Sequence, residues 1–261
     1  MTVLLVIPAR YASTRYPGKP LVTLRGATGE PVSLIERAWR AAEAVNGVDR
    51  VVVATDDDRI RAASEAFGAE VVMTSDQCRN GTERCADVLQ RLSLEVEMVC
   101  NLQGDAPLTP PWFLDDLIAG LRADQTAACA TPVLSTSSAA LNSFRQDRRA
   151  GRVGATTAVF GAGGRALYFS KEVLPFADAP GTPVFHHVGV YAYRPADLAR
   201  YARLPEGPLE RIEGLEQLRF LENGLPVRCV KVDAQGREFW ELNNPEDVPR
   251  IEAILAAQGT P

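Results

Sequence analysis

The chain has 261 residues, 46% of them hydrophobic, so it can bury the core of one large α/β domain or of a domain with a small lobe. Its 33 acidic residues outnumber its 28 basic ones, and the net charge of −5 argues against a nucleic-acid partner, which normally needs a basic face. No apolar run reaches membrane length and no C-x-x-C pair occurs, so we expect a reduced, soluble, cytoplasmic protein without membrane insertion.

Short β-rich runs alternate with amphipathic stretches in the first half of the chain. The pattern predicts strands over 3–8, 50–54, 70–73 and 97–102, and helices near 32–45, 57–67, 80–92 and 110–123. This alternation is typical of βαβ units around a parallel sheet, whose strands all end at one edge. Ligands of open α/β sheets bind at that edge, so Arg10, Asp56 and Asp105, which follow strands directly, become candidates for the site.

The second half has a looser pattern. It predicts strands over 128–133, 156–160, 166–170, 187–193 and 227–232, helices over 208–222 and 245–257, and a Pro/Gly-punctuated loop at 177–183. We therefore expect a single domain over 1–261 with a mixed, mostly parallel sheet and a small lobe at about 130–195. The segment Gly161–Ala166 fits a loose dinucleotide fingerprint, but it continues as a strand, which favours a hairpin turn.

Three cations stand in the loop after the first strand. Arg10, Arg15 and Lys19 repel one another, and a fold that gathers them suits a polyanion. Arginine offers paired planar donors, lysine a point charge, and Gly18 a backbone without a side chain in the way. This combination indicates a triphosphate site, while a solvated basic loop remains the alternative.

Asp105 is the candidate metal ligand, because it ends an apolar strand in a sharp turn after Gly104. Mg²⁺ prefers a few carboxylates together with phosphate oxygens and water, so one or two acids suffice. The competing interpretation is an aspartate that caps the next helix.

The tetrad Gly81–Arg84 is predicted to open a helix whose free N–H groups could meet a ligand, with an ordinary N-terminal cap as the alternative. His186 and His187 are the only histidines, and neighbours in a strand point to opposite faces, so a shared metal is not expected. Tyr191 is predicted on the same strand face as His187.

Several motifs in one order resemble the cytidylyltransferases that activate 3-deoxy-manno-octulosonate (KDO), the CMP-KDO synthetases. The resemblance runs from about residue 4 to residue 250. It rests on segments 6–20, 53–57, 81–84, 101–105, 166–170, 187–191 and 215–219.

The resemblance implies a Rossmann-like nucleotidyltransferase fold with a dimerisation or lid lobe, a homodimer, and Mg²⁺ as cofactor. The implied reaction joins CTP and KDO into CMP-KDO and pyrophosphate for lipopolysaccharide or capsule assembly. The implied catalytic residues are Arg10, Arg15, Lys19 and Asp105, and the CTP contacts are these four with Ala9, Gly18 and Thr82. The implied sugar-acid contacts are Arg84, Gln103, Lys171, His187, Tyr191, Glu216 and Gln217, and the implied metal ligands are Asp105 and Asn243.

Three positions depart from the family pattern. Asn243 stands where the family has a metal-binding Asp, Lys171 replaces an Arg, and Thr157 replaces a Lys, after an insert at 148–152 that could restore the charge. These departures leave two alternatives open: a cytidylyltransferase for another octulosonate, a nonulosonate or a phosphonate, or a CTP-binding regulatory protein without catalysis.

Overall fold

The structure is a computed structural model that describes residues 2–12, 16–152, 155–176, 182–238, 240, 242 and 244–260. The strands are β1 (Val3–Pro8), β2 (Thr23–Arg25), β3 (Pro31–Ser33), β4 (Arg50–Thr55), β5 (Val71–Met73), β6 (Met98–Asn101), β7 (Cys129–Ser135), β8 (Thr156–Phe160), β9 (Ala166–Ser170), β10 (Phe185–His187), β11 (Tyr191–Tyr193) and β12 (Val227–Val232). The helices are α1 (Leu34–Glu43), α2 (Asp58–Ala66), α3 (Gly81–Leu92), α4 (Pro111–Ala123), α5 (Ser138–Arg149), α6 (Pro195–Tyr201), α7 (Pro208–Glu213), α8 (Leu218–Glu222) and α9 (Val248–Ala257).

The chain divides into two compact units. The first comprises Met1–Asp115 and Ala234–Pro261, and the second comprises Asp116–Asp233. Strands and helices alternate as the α/β prediction requires, with parallel and antiparallel pairing both present, so the predicted fold class is confirmed. The predicted lobe at 130–195 lies within the second unit, and its role as a lid or dimerisation element stays a prediction.

The first unit is built on a parallel sheet in the order β5, β4, β1, β6. All six residues of β1 are buried, because a central parallel strand is covered on both faces. A small antiparallel ribbon, β2 with β3, adds to this unit, and α9 lies beside β2. The apolar cluster between them includes Leu242, so the backbone of that residue is fixed in the core.

The second unit is arranged around β7. Strand β12 pairs with it in parallel on one side, while β10 and β11 pair with it antiparallel on the other. Strand β8 joins β10, and β8 and β9 form a hairpin. Its turn is closed by the bond from Gly161 N to Arg165 O, 2.9 Å, so the predicted glycine-rich hairpin is confirmed.

The prediction of one strand over 187–193 is wrong. Strand β10 ends at His187, β11 begins at Tyr191, and Val190 N donates to Val188 O across the break at 2.7 Å. The break lies opposite Pro132 of β7, whose carbonyl accepts from Val188 N but which has no N–H to continue a regular ladder.

The prediction of one helix over 208–222 is also wrong. Helix α7 ends at Gly214, whose φ of 61° is the left-handed conformation that stops a helix, and α8 begins at Leu218. Likewise, the predicted helix 245–257 opens as a 3₁₀ turn over Pro245–Asp247 before α9.

Candidate active site

The loop after β1 is shaped by a glycine. Gly18 has a φ of 71° and its N–H donates to Tyr11 O at 2.9 Å, so the chain returns close to its starting point before Lys19. Ala9 N donates to Ala54 O at 2.8 Å, which holds the beginning of the loop on β4. The side chain of Arg10 is exposed and reaches Arg79 O at 3.5 Å. Arg15 lies outside the described residues.

Lys19 and Asp105 form the charged centre of the first unit. Lys19 Nζ lies 2.5 Å from Asp105 Oδ2 and also donates to the carbonyl of Leu242 at 3.1 Å. Leu242 N donates in turn to Asp105 O at 3.4 Å, so the three residues hold one another. The side chains of Lys19 and Asp105 are 12% and 37% exposed, which leaves the carboxylate reachable for a ligand.

The chemistry around Asp105 fits Mg²⁺ held by a single carboxylate together with ligand oxygens. Its side chain is partly exposed, and α4 begins only at Pro111, so Asp105 is not the cap of that helix. The described residues contain no cluster of three metal-ligating side chains. Asn243, the second implied ligand, lies outside the described residues, whereas the Asn244 side chain forms a capping box with Asp247 and is therefore structural.

The tetrad Gly81–Arg84 opens α3 as predicted, and the Asn80 side chain caps it by accepting from Glu83 N at 2.8 Å. A Cβ on Gly81 would lie 2.8 Å from the amide nitrogen of Gln103, so the glycine lets the start of α3 approach that side chain closely. The sequence interpretation treated Gly81 only as part of the motif, and its packing role emerges from the structure.

Thr82 and Arg84 are both buried in the first unit. The Arg84 guanidinium donates to the Thr74 hydroxyl and lies 3.4 Å from Asp56 Oδ1. These contacts account for burial of the charge, since a buried cation needs paired acceptors. The implied contacts of Thr82 with CTP and of Arg84 with the acid stay predictions.

The second unit collects neutral polar groups. His187 Nε2 lies 2.9 Å from Thr131 Oγ1, and the Tyr191 hydroxyl donates to Gln217 Oε1 at 3.2 Å. The rings of His187 and Tyr191 are 5.7 Å apart, so they meet although they belong to different strands. Thr131 also donates to carbonyls across the break in the strand, and sequence reasoning missed it because nothing in its neighbourhood marks it.

Burial keeps these histidines uncharged. Loss of hydration lowers the pKa of His187 to about 3, with His186 adding a smaller like-charge effect, and it lowers the pKa of His186 to about 4. Gln217 is 2% exposed, and its amide nitrogen has no hydrogen-bond partner within the described part of the chain. An unpaired buried donor is costly, so this nitrogen is suited to a ligand oxygen.

Lys171 lies where β9 meets the end of α7. Its backbone N–H and the Ser170 hydroxyl donate to the two carboxylate oxygens of Glu213, at 2.9 and 2.6 Å. A Cβ on Gly214 would lie 2.9 Å from Lys171 Nζ, so the ammonium passes over this glycine. Sequence reasoning missed Glu213, although a Glu directly before a helix-ending Gly lies beside the quoted 215–219 motif. Glu216 is partly buried, and its carbonyl accepts from Tyr201 at 3.1 Å.

Thr157 and the insert at 148–152, two further departures from the family pattern, form contacts within the fold. The hydroxyl of Thr157 is buried and donates to Glu172 O at 2.6 Å, so it acts within the fold. In the insert, Arg148 donates to the carbonyl of Ala155, and Arg152 pairs with Asp147 at 2.7 Å. Arg148 and Arg152 therefore both form contacts close to the end of α5.

Comparison with known proteins places these features in context. The family model described as cytidylyltransferase matches residues 4–232. A 3-deoxy-manno-octulosonate cytidylyltransferase of Maricaulis maris (strain MCS10) is 49% identical and the match covers 99% of both chains, and one of Myxococcus xanthus (strain DK1622) is 43% identical over 97% of this chain and 96% of that protein. A solved CMP:2-keto-3-deoxy-manno-octonic acid synthetase complexed with CTP has a TM-score of 0.84 and 33% identity, covering 99% of this chain and 100% of that one. None of the helices in the described ranges is long and apolar enough to cross a membrane.

Proposed function

Because this chain belongs to the 3-deoxy-manno-octulosonate cytidylyltransferase family, we propose that it transfers CMP from CTP to KDO and releases pyrophosphate. The predicted family is confirmed over the full length of the chain. The observation that carries the proposed reaction is the pair Lys19 and Asp105, a mostly buried ammonium that holds a reachable carboxylate beside a glycine-shaped loop.

The first unit handles the nucleotide in this proposal. Arg10, Arg15 and Lys19 bind the triphosphate and offset its charge, while Ala9 and Gly18 let the backbone approach. Thr82, at the start of α3, contacts the nucleotide as the family resemblance implies. Such charge compensation favours departure of pyrophosphate, because negative charge grows on the leaving oxygens as the bond breaks.

The second unit orients the acid in this proposal. His187, Tyr191 and Gln217 offer buried hydrogen-bonding groups. An acid that lacks a matching hydroxyl would leave such a group unpaired, which costs binding free energy. Lys171 attracts the carboxylate, and Glu216 adds a polar contact. From the first unit, Arg84 and Gln103 are the further residues assigned to the acid. The anomeric hydroxyl then attacks the α-phosphorus of CTP as the bond to pyrophosphate breaks.

Mg²⁺ held by Asp105 and Asn243 would lower the pKa of the sugar hydroxyl and neutralise the phosphates. An asparagine carbonyl can ligate Mg²⁺ without adding charge, so the site would carry one negative charge less than in a relative with aspartate there. The fit rests on the reachable Asp105 carboxylate.

The experiment that tests this function is pyrophosphate release with CTP, Mg²⁺ and KDO, with ATP, GTP and UTP as matched controls. Turnover with CTP alone is expected. A second candidate, transfer to a different acid, is favoured by Thr157, which donates its hydroxyl within the fold where the family pattern has a lysine. A panel of octulosonates, nonulosonates and phosphonates in the same assay decides between them, because KDO must be the fastest acceptor if the first proposal holds.

The proposed homodimer is a separate question, and sedimentation of the purified chain tests it. A mass near twice the 28.3 kDa of one chain is expected. A single-chain mass at all concentrations used in the assay would contradict it.

A further inference from the structure

Tyr11 belongs to the loop after β1, and its ring lies against the side chain of Arg59 on helix α2. The guanidinium carbon of Arg59 is 3.3 Å from the centroid of the Tyr11 ring, which is a close cation–π contact. A Cβ on Gly18 would lie 3.0 Å from atoms of the same ring, so the ring also bounds the space around that glycine. A backbone hydrogen bond also joins Tyr11 and Gly18, since Gly18 N donates to Tyr11 O at 2.9 Å.

Arg59 is itself held in place. Its Nε and Nη2 donate to the two oxygens of Asp57 at 3.0 and 2.6 Å, a forked geometry that fixes the plane of the guanidinium. Asp57 is the N-cap of α2 and accepts from Arg59 N at 2.9 Å. These hydrogen bonds lower the pKa of Asp57, so the pair stays charged at neutral pH. The stacked cation is thus attached to the start of a helix.

We propose that Arg59 is a positioning residue for CTP, holding the Gly18 turn and the adjacent Lys19 through the ring of Tyr11. The inference rests on the proposed function, because it assigns Arg59 to the loop that binds the triphosphate. Arg59 acts before the nucleotide arrives: with the ring held, the loop has fewer conformations to lose on binding. Its contribution therefore lies in the affinity for CTP and leaves the chemical step unchanged.

The test measures KM for CTP, KM for KDO and kcat in Arg59→Ala. We expect KM for CTP to rise about two- to fivefold, as is usual for an exposed cation–π contact, with KM for KDO and kcat unchanged. Arg59→Lys retains a cation without the fork and should recover part of the loss. Arg61→Ala is the matched control, because Arg61 lies on the same helix and pairs with Asp58 at 3.1 Å.

A double-mutant cycle makes the test specific. Tyr11→Leu keeps an apolar side chain but removes the aromatic face, so adding Arg59→Ala to it should cause no further rise in KM for CTP. An unchanged KM for CTP in Arg59→Ala, or the same rise in the Tyr11→Leu background, would overturn the proposal. A fall in melting temperature with unchanged KM would show a purely structural role and would equally overturn it.

Failure of the proposed function gives a different result. If the wild-type protein binds CTP but does not turn over KDO, the same variants are compared by calorimetric titration with CTP. A weaker affinity in Arg59→Ala then supports the positioning role without the reaction, and an equal affinity overturns it. A wild-type protein that does not bind CTP overturns both proposals.

Discussion

Lys19 and Asp105 in the first unit form a charged pair whose carboxylate is reachable, whereas His187 and Gln217 in the second unit are neutral and buried. The difference matches two chemical tasks. A triphosphate needs fixed charge at a place that an ion can reach. A sugar acid needs hydrogen-bonding groups that recognise its hydroxyls and that are already removed from water. We infer that the first unit supplies the charged contacts to the triphosphate and the second unit most of the contacts to the acid, with Arg84 and Gln103 as the acid contacts proposed from the first unit.

Buried charge also occurs in the second unit, where it is structural. Arg219 is fully buried and donates to both oxygens of Glu210 at 2.7 and 2.6 Å, and its guanidinium carbon lies 4.4 Å from the centroid of the Tyr201 ring. This pair is the most severe test of the comparison, since its contacts are structural although Arg219 is the last residue of the quoted motif 215–219.

The largest predicted effect is therefore on folding. Arg219→Met leaves the Glu210 carboxylate buried without its partner and should lower the free energy of unfolding by about 3–5 kcal/mol. Urea denaturation followed by circular dichroism measures it. Arg40→Met removes a surface pair with Glu36 and serves as the control, with an expected change below about 1 kcal/mol. Equal losses in both variants would show that burial of the Arg219 pair does not matter.

Asp105→Asn should reduce kcat about 10²- to 10³-fold, because removing one preorganised electrostatic group from an active site typically costs that much. Asparagine keeps a side-chain oxygen that can accept from Lys19 Nζ, and the pair is not fully buried, so the free energy of unfolding should fall by less than in Arg219→Met. Asp58→Asn, on the exposed surface of α2, is the matched control. Near wild-type turnover in Asp105→Asn would remove this carboxylate from the proposed reaction.

The neutrality of the buried His187 ring predicts a pH effect. The pKa of His187 is about 3 in the folded protein against 6.5 for the free side chain, so its contribution to stability is complete above pH 6.5 and declines as the pH falls. Between pH 7 and pH 5 the unfolded state gains a proton that the folded state does not, which costs about 2 kcal/mol.

His187→Gln removes this titration and should flatten the dependence of unfolding free energy on pH by about that amount. His186→Gln should flatten it by a similar amount over this range, because the pKa of His186, about 4, also lies below pH 5. Urea denaturation at both pH values makes the comparison. Identical pH dependence in wild type and His187→Gln would show that the ring is not desolvated.

The first unit could be predicted well from the sequence because the patterns that mark its strands and helices are local. Apolar runs, the Asn80 cap and the glycines mark the strands and helices, and parallel strands bring their ends to one edge. The second unit depended on tertiary pairing: Pro132 breaks the neighbouring strand, and α5 escaped prediction because it buries only Phe144. The contacts of Lys19 with Asp105 and Leu242 span 86 and 223 residues, a distance that no local pattern encodes.

The division of tasks is tested most directly by measuring KM for CTP and KM for KDO in two matched variants, Lys19→Met and Gln217→Met. We expect Lys19→Met to raise KM for CTP about tenfold or more with KM for KDO near wild type, since it would remove the proposed charged contact to phosphate. We expect the opposite result for Gln217→Met, a raised KM for KDO with KM for CTP near wild type, because it would remove the buried donor proposed for the acid. A Gln217→Met variant that loses CTP, or a Lys19→Met variant that loses KDO, would contradict it.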